Sequence, residues 1–559
     1  MILARTLNNK PVNIATSVFK PCSLNLFFLL STNRRDFSSI STTLLYSPFV
    51  LQPKYKLLNH SATFCNKNIV RFASLHPLTR ASKFVKLSKD HVKRFVALLS
   101  PQQVYATKEY GGSCDIQDLA HYNTDFYKSN IGSSSVVLFP KNTAQVSNIL
   151  AFCNQQKIAV VPQGGNTGVV GASTVLFDEV IISMSKFNKI RSIDLDSGAL
   201  ICDAGCVLQD LDHYVSQFGL IMPLDLGAKG SCHIGGNIST NAGGIRYLRY
   251  GSLHGSVLGL EVVLPDGQIL NNLSTLRKDS TGYDLKQIFI GAEGTLGIVT
   301  GVSIQTAQRP MHTNVAILGF NSFDDARGTL ALAKTHLSEI LSAFEFWDDI
   351  SMNITLDHFK FKNPLSDPYA FYALIETGGS NNTHDQEKII AFLEHSMDKG
   401  FVKDGTLARD KTQATEAIRK FGVLHGYDIS IPTSKFYDIV NDVRKRLEDA
   451  KVFTNATNGQ ITANKVDVIV GYGHIGDGNI HLNLMLKTID SKVIQLLEPY
   501  IYEWVSTVSG SISAEHGLGL VKKDYLKYSK SPEIIQLMKK IKKIYDPNEI
   551  MNPYKFLPN

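Results

Sequence analysis

From about residue 90 onward, short aliphatic runs alternate with segments whose apolar residues recur at helical spacing. Residues 136–140, Val-Val-Leu-Phe-Pro, predict a strand closed by a proline, and residues 143–155 carry Val146, Ile149, Leu150 and Cys153 on one helical face. Residues 158–162 predict the next strand, and residues 258–264 another that ends at the turn Pro265-Asp266-Gly267. Beyond Arg309-Pro310, where a domain boundary is expected, the alternation continues. A helix over 323–340 starts after Asn321-Ser322, a strand covers 344–347, a charged helix covers 385–399, a β-branched strand covers 466–470, and a basic amphipathic helix covers 534–544. The pattern is that of an α+β chain, and no internal repeat interrupts it.

Composition enlarges this picture. The chain has 559 residues, 43% of them hydrophobic and 19% charged, enough for several cores and too apolar for a mostly disordered protein. The net charge of +7 is unevenly spread. Residues 1–89 hold 13 basic side chains against one acid, Asp36, which leaves 44 basic against 49 acidic groups in the rest. The basic character therefore belongs to a leader, and a nucleic-acid surface on the folded body loses its support. That leader is rich in Ser, Thr, Asn, Leu and Phe and contains the Arg34-Arg35 pair, the composition of a mitochondrial import sequence; the alternative is a basic tail without an address. Its apolar run, residues 24–30, is too short to span a bilayer, and no other segment is long enough for an integral membrane helix. Seven scattered cysteines without a CxxC pair suit a reducing compartment such as the matrix.

The candidate chemistry begins with glycine. The strand at 158–162 runs into Gln163-Gly164-Gly165-Asn166-Thr167-Gly168. Glycine reaches positive φ and has no side chain to block a ligand, so such a loop lets backbone N–H groups approach an anion, with pyrophosphate the natural guest. A second cluster runs from Gly230-Ser231 through Gly235-Gly236-Asn237 to Asn241-Ala242-Gly243-Gly244, and a third is Gly291-Ala292-Glu293-Gly294-Thr295-Leu296-Gly297. Such segments cannot build long helices but offer many unshielded amides and hydroxyls. Neither a Walker lysine loop nor GxGxxG occurs at these places, so they indicate a nucleotide-cofactor cleft of another kind.

The other constellation is Gly471-Tyr472-Gly473-His474-Ile475-Gly476-Asp477-Gly478-Asn479-Ile480-His481-Leu482-Asn483. Asp477-Gly478 marks a tight turn that can bring His474 and His481 together, and His481 and Asn483 share a strand face by their i, i+2 spacing. Two histidines plus a carboxylate suit a catalytic divalent metal, which needs three protein ligands and an open position. Glu515, beside His516 in Ser513-Ala514-Glu515-His516-Gly517, is the candidate carboxylate. The competing reading is a pair of satisfied strand histidines and a structural turn histidine at 516.

The three glycine segments resemble the FAD-binding fold of the vanillyl-alcohol oxidase type (PCMH-type), and residues 223–244 together with the histidine motifs resemble the D-2-hydroxyglutarate dehydrogenase family. The resemblance covers nearly all of residues 90–558. It implies a two-subdomain FAD-binding α+β fold over residues 90–310, preceded by a transit peptide and linker (1–89). An α+β substrate and metal domain over 311–559 follows, with a C-terminal segment that returns to the flavin near Asn552. It places Gln163, Gly164, Gly165, Asn166 and Thr167 at the pyrophosphate, Gly230, Ser231, Gly235, Gly236 and Asn241 along the flavin with Ile298 touching it through backbone, and Pro162, Gly168 and Gly294 among the other cofactor contacts. It implies His474, His481 and Glu515 as ligands of a zinc-type metal, and Asn483 and His516 as substrate contacts. His516 would accept the proton of a 2-hydroxyacid whose C2 hydride passes to the flavin. Electron-transfer flavoprotein is the implied acceptor, and a homodimer is an open expectation.

The distal carboxylate of such a substrate calls for a cation. Here the chain departs from the family, which carries an Arg-Glu helix, a nearby Thr, and then Tyr-Lys-Tyr-Asp. This sequence has Ile418-Arg419-Lys420-Phe421 and then His425-Gly426-Tyr427-Asp428, with Gly426 in the lysine's place. Arg419 is the best counterpart for the arginine, Lys411 and Thr415 are an alternative pairing, and a solvated helix charge is the plain reading of Arg419. D-2-hydroxyglutarate leads as substrate, with D-lactate or another D-2-hydroxyacid behind it. A transferase such as an alkyl-dihydroxyacetonephosphate synthase is a more remote reading that needs no metal.

Overall fold

A computed structural model describes residues 78–128, 130–408, 423–454, 465–488 and 490–558. The described residues build three large sheets, each with its own apolar core, and a two-stranded ribbon that pairs Leu220–Ile221 with Ala307–Gln308.

The first sheet holds β1 (Val104–Ala106), β2 (Val136–Leu138), β3 (Val160–Gln163) and β4 (Val180–Ser183) in the order β1-β2-β4-β3. Its three inner pairings include the parallel ladders β2–β4 and β3–β4, which require crossovers. One is supplied by α1 (Thr143–Gln156), whose N-cap Asn142 accepts from the N–H of Gln145 and whose Val146, Ile149, Leu150 and Cys153 are buried, the face the spacing predicts. The second sheet holds β5 (Ile190–Asp194), β6 (Ala199–Asp203), β7 (Val257–Val263), β8 (Ile269–Asn272) and β9 (Ile298–Gln305), antiparallel in the order β5-β6-β9-β7-β8. Every residue of β7 is buried, including Glu261, whose carboxylate is paired with Arg191 (2.9 Å). Between β6 and β7 the second glycine cluster forms only one short helix, α2 (Ile234–Thr240).

The third sheet has seven strands. These are β10 (His312–Phe320), β11 (Leu341–Asp348), β12 (Phe371–Gly379), β13 (Asp404–Ala408), β14 (Val423–Ser430), β15 (Val466–His474) and β16 (Asn479–Leu486). They are antiparallel in the order β13-β10-β12-β11-β15-β16-β14. The helix expected over 323–340 stops earlier, at α3 (Phe323–His336). Leu337 and Ile340 are buried where the chain turns directly into β11, so their apolar side chains serve the turn rather than a further helical face. The charged helix is α4 (Asn382–Asp398), and the basic one is α5 (Pro532–Tyr545).

The chain's end returns to the first sheet. Val160 donates to the carbonyl of Ile550 (2.9 Å) and accepts from the N–H of Asn552 (2.8 Å), which adds the tail to β3, and Ile550 and Met551 enter that sheet's core. Among the described residues no helix is long and apolar enough to cross a membrane.

Candidate active site

Two neighbouring sites are built by different means. The first is a cleft walled by all three glycine segments, with a cavity of about 140 Å³. Pro162, Gln163, Gly164, Gly165, Asn166, Thr167, Gly168, Gly235, Gly236, Gly294 and Ile298 line it. The loop after β3 is held open by its own amides. Gln163 donates to the carbonyls of Tyr122 and Ser173, and Asn166, at φ 52°, donates to those of His121 and Thr124 and accepts from Ser173. Glycine is required at 165, where a Cβ would stand 1.9 Å from the Ser231 carbonyl oxygen, so these two loops meet backbone to backbone. At Gly168 and Gly236 a Cβ would meet nothing within 4 Å, which leaves bare peptide facing the cleft. His233 adds a buried Nδ1 without a hydrogen-bond partner, and burial lowers its pKa. Exposed peptide and an unsatisfied buried nitrogen are what a polar, phosphate-bearing cofactor fits.

Four predicted cofactor residues stand just outside this lining. Ser231 packs on Gly165, Gly230 faces Gln209, and Asn241 ends α2 at φ 49° while accepting from Ser252. Asn552 donates to the carbonyls of Ala172 and Glu293 and so pins the tail beneath the cleft.

The second site lies at the β14 edge of the seven-stranded sheet. The β15–β16 hairpin aligns His474 with Asn479 and Tyr472 with His481, and the two histidine rings lie 5.8 Å apart. His481 Nε2 is 3.6 Å from Glu515 Oε1, and the His516 ring stacks on that of His481 at 5.5 Å. Glu515 Oε2 accepts from the N–H of Gly244 (2.8 Å), which ties this carboxylate to the second glycine cluster. His481, Glu515 and His516 are thus brought together, while His474 stands beside His481 but outside the group of converging donor atoms. Two partners that sequence reasoning did not single out join them. One is Glu345, which opposes His474 across β11–β15 with Oε2 3.7 Å from its Nε2.

The other is Asp428, paired with His481 across β14–β16. Asp428 Oδ2 accepts from the backbone N–H groups of Ala514, Glu515 and His516 (3.1, 3.1 and 2.8 Å) and from the Ser513 hydroxyl. Its Oδ1 accepts from Asn479 Nδ2. Asp428, His481, Glu515 and His516 each place one donor atom within 4.8 Å of the others, the spacing a metal ion needs. Because the Asp428 oxygens already receive several N–H groups, its carboxylate suits the holding of the 513–516 loop better than direct ligation.

Electrostatics set the histidines apart. Burial opposes charge on His474, but the carboxylates of Glu345, Asp477 and Glu515 outweigh it and raise the imidazole to about 10. Burial lowers His481 to about 4 against the pull of Glu515 and Asp428, so it stands neutral, the form that ligates. Burial alone would raise Asp428, yet His516, Lys522, His481 and the His516 N–H hold its carboxyl well below the usual range.

Beside this cluster opens a pocket of about 100 Å³ bounded by Val169, Val170, Gly426, His481, Asn483 and His516. Asn483 donates to the Tyr472 hydroxyl (2.7 Å), and a Cβ at Gly426 would come within 2.3 Å of its Oδ1. Arg419, Thr415 and Lys411 lie outside the described residues.

Residues 134–272 match the family described as FAD binding domain, and residues 309–556 match that of FAD linked oxidases, C-terminal domain. The mitochondrial D-2-hydroxyglutarate dehydrogenase of Arabidopsis thaliana is 49% identical over 86% of this chain and 84% of its own length. The chain belongs to the D-2-hydroxyglutarate dehydrogenase family. A putative mitochondrial D-lactate dehydrogenase of Schizosaccharomyces pombe is 45% identical over 88% of this chain and 95% of its own. The solved structure of p-cresol methylhydroxylase with bound substrate shares the fold alone, with a TM-score of 0.64 at 15% identity over 84% of this chain and 98% of that one. The chain is therefore an FAD-dependent oxidoreductase with the PCMH-type fold, and it is mitochondrial like these relatives.

Proposed function

We propose that this enzyme oxidises D-2-hydroxyglutarate to 2-oxoglutarate, with residues 90–310 carrying FAD and residues 311–559 the substrate and a divalent metal. The observation that carries this reading is the join between the two sites. Glu515, within 3.6 Å of His481 and next to His516, is hydrogen-bonded to Gly244 of the glycine cluster beside the cofactor cleft. A reacting carbon near His516 is thereby brought toward the flavin.

His474, His481 and Glu515 would hold the metal, probed first as zinc, with the ion displacing the proton that Glu345, Asp477 and Glu515 otherwise keep on His474. Such an ion, when bound, lowers the pKa of the substrate's 2-hydroxyl and neutralises its carboxylate. His516 takes the hydroxyl proton on its imidazole, held in place by Asp428 through the His516 N–H and through Nδ1, 3.9 Å away. FAD, when bound, supplies the acceptor for the C2 hydride. Asn483 orients the substrate from the floor of the pocket. Arg419, or the pair Lys411 and Thr415, meets the distal carboxylate, and the electrons leave to electron-transfer flavoprotein, the acceptor implied by family resemblance. A homodimer remains an expectation for solution measurement.

A second reading, a D-2-hydroxyacid without a distal carboxylate such as D-lactate, is favoured by Gly426 in place of the family's lysine and by the name of the yeast relative. Anaerobic mixing of metal-replete enzyme with D-2-hydroxyglutarate, L-2-hydroxyglutarate and D-lactate, read as flavin bleaching, decides between them. Bleaching by D-2-hydroxyglutarate alone is expected. Bleaching by D-lactate alone moves the enzyme to the second reading, and no bleaching by any of the three overturns both.

A further inference from the structure

Four segments remote in sequence meet at Glu293. It has a φ of 51°, a left-handed conformation that non-glycine residues seldom adopt and that costs free energy unless its surroundings impose it. The surroundings do so at each of its polar groups. Its N–H donates to the Ser239 carbonyl (2.7 Å), and its own carbonyl accepts from Asn552 Nδ2 (2.8 Å). Oε1 accepts from the N–H of Leu518 (2.6 Å), and Oε2 from that of Gly519 (2.8 Å). Ser239 and Glu293 itself line the cofactor cleft, Asn552 belongs to the tail paired with β3, and Leu518 and Gly519 follow directly on Glu515-His516-Gly517. The approach is close. Gly517 has a φ of 84°, and a Cβ there would lie 2.5 Å from Glu293 Oε1.

We propose that Glu293 is the positioning residue that holds the His516 loop in register with the cofactor cleft. The carboxylate is matched to two parallel N–H donors of one loop, while its backbone is matched to the cleft and the tail, so a shift of any one segment must break bonds to the others. Buried charge-assisted bonds of this kind are strong, and losing one leaves a buried N–H unpaired. Burial raises the carboxyl to about 7, against the Leu518 and Gly519 N–H groups and then Lys555 and Lys522, which favour its ionised form. The inference rests on the reading that His516 receives the substrate's proton beside the flavin. Its first readout is independent of that reading.

The test uses the full FAD- and metal-loaded chain carrying Glu293→Gln, which offers one oxygen to two donors and turns an NH2 group toward the second. Hydrogen exchange, measured without substrate, is expected to lose protection at Leu518 and Gly519 while FAD stoichiometry is retained. In anaerobic mixing with D-2-hydroxyglutarate, the limiting rate of flavin reduction should fall on the order of 10²-fold, the cost of displacing a catalytic group by about an ångström, with the substrate Kd changed less than about threefold. In a His516→Ala background the same substitution should cost less than about twofold more, because the group that Glu293 places is gone. If Glu293→Gln sheds FAD, Glu293→Asp, which keeps the charge but withdraws it from both N–H groups, is read in the same way. Unchanged exchange at 518 and 519 overturns the proposal, and so do rate losses that multiply in the double variant. Should the wild type itself resist D-2-hydroxyglutarate, the functional reading fails and exchange alone decides whether Glu293 holds the loop.

Discussion

The cofactor cleft and the histidine cluster are neighbours built on opposite principles. The cleft is shaped by missing side chains: Gly165 allows two loops to touch through their backbones, and Gly168 and Gly236 leave peptide bare. The cluster is shaped by crowded ionisable side chains, where Asp428 alone gathers three backbone N–H groups and lies within 4.0 Å of His481. Damage to the first should therefore be steric and felt as lost cofactor. Damage to the second should be electrostatic and felt in the rate while cofactor stays bound.

The largest expected effect belongs to the cluster. His516→Ala should slow flavin reduction by about 10³-fold, the usual worth of a positioned general base, while the visible flavin spectrum stays that of the wild type. Loss of bound flavin in this variant would show that the two sites are not separable.

A stability measurement sharpens the contrast within a single strand. On β14, Asp428 faces the cluster, whereas His425, buried beside Glu498, shares a hydrogen bond with the Tyr427 hydroxyl (2.8 Å) and is lowered by burial to about 4. Its folded pKa lies below the unfolded value of about 6.5, so its contribution to stability is present above pH 6.5 and is lost as pH falls toward 4. Integrated over that window the loss is about 3 kcal/mol. Thermal midpoints taken from pH 7 to 4 should fall steeply in the wild type and less steeply in His425→Gln; equal slopes would remove His425 from the acid limb.

Within the cleft, two alanines pull apart the steric account. Gly165→Ala drives a Cβ toward the Ser231 carbonyl and must part the loops, an overpacking cost of about 1–3 kcal/mol that should appear both in the melting temperature and in weakened FAD retention. Gly236→Ala has open space before it and lies within α2, so it should leave the melting temperature of the FAD-free protein unlowered, or raise it slightly, while weakening FAD retention. Equal effects of the two on the FAD-free protein would mean that position 236 also bears on packing.

These contrasts follow what could be read from the chain. Glycine chemistry is local, so the loops at 163–168 and 291–297 were legible, as was the hairpin that joins His474 to His481, because a turn and a two-residue spacing decide it. Asp428 and Glu293 stood inside motifs already noticed, yet their roles depend on pairing across β14–β16 and on an N–H contact 225 residues away. No periodicity reports such contacts. Burial misled at the end of α3, where Leu337 and Ile340 continue the apolar pattern but pack a turn.

The smallest effect probes where the two principles meet. Gly426 opposes Asn483 across β14–β16, a missing side chain inside the crowded site, and its Cβ would press to 2.3 Å from Asn483 Oδ1. Gly426→Ala must therefore turn Asn483 away from the Tyr472 hydroxyl, an adjustable polar side chain rather than backbone. The expected result is a rise in KM of about tenfold, roughly 1.4 kcal/mol of lost substrate contact, with the flavin spectrum and FAD retention unchanged. A fall in kcat without a change in KM would instead place Asn483 with His516 in the chemical step, and the boundary between binding and chemistry would then run through β16 itself.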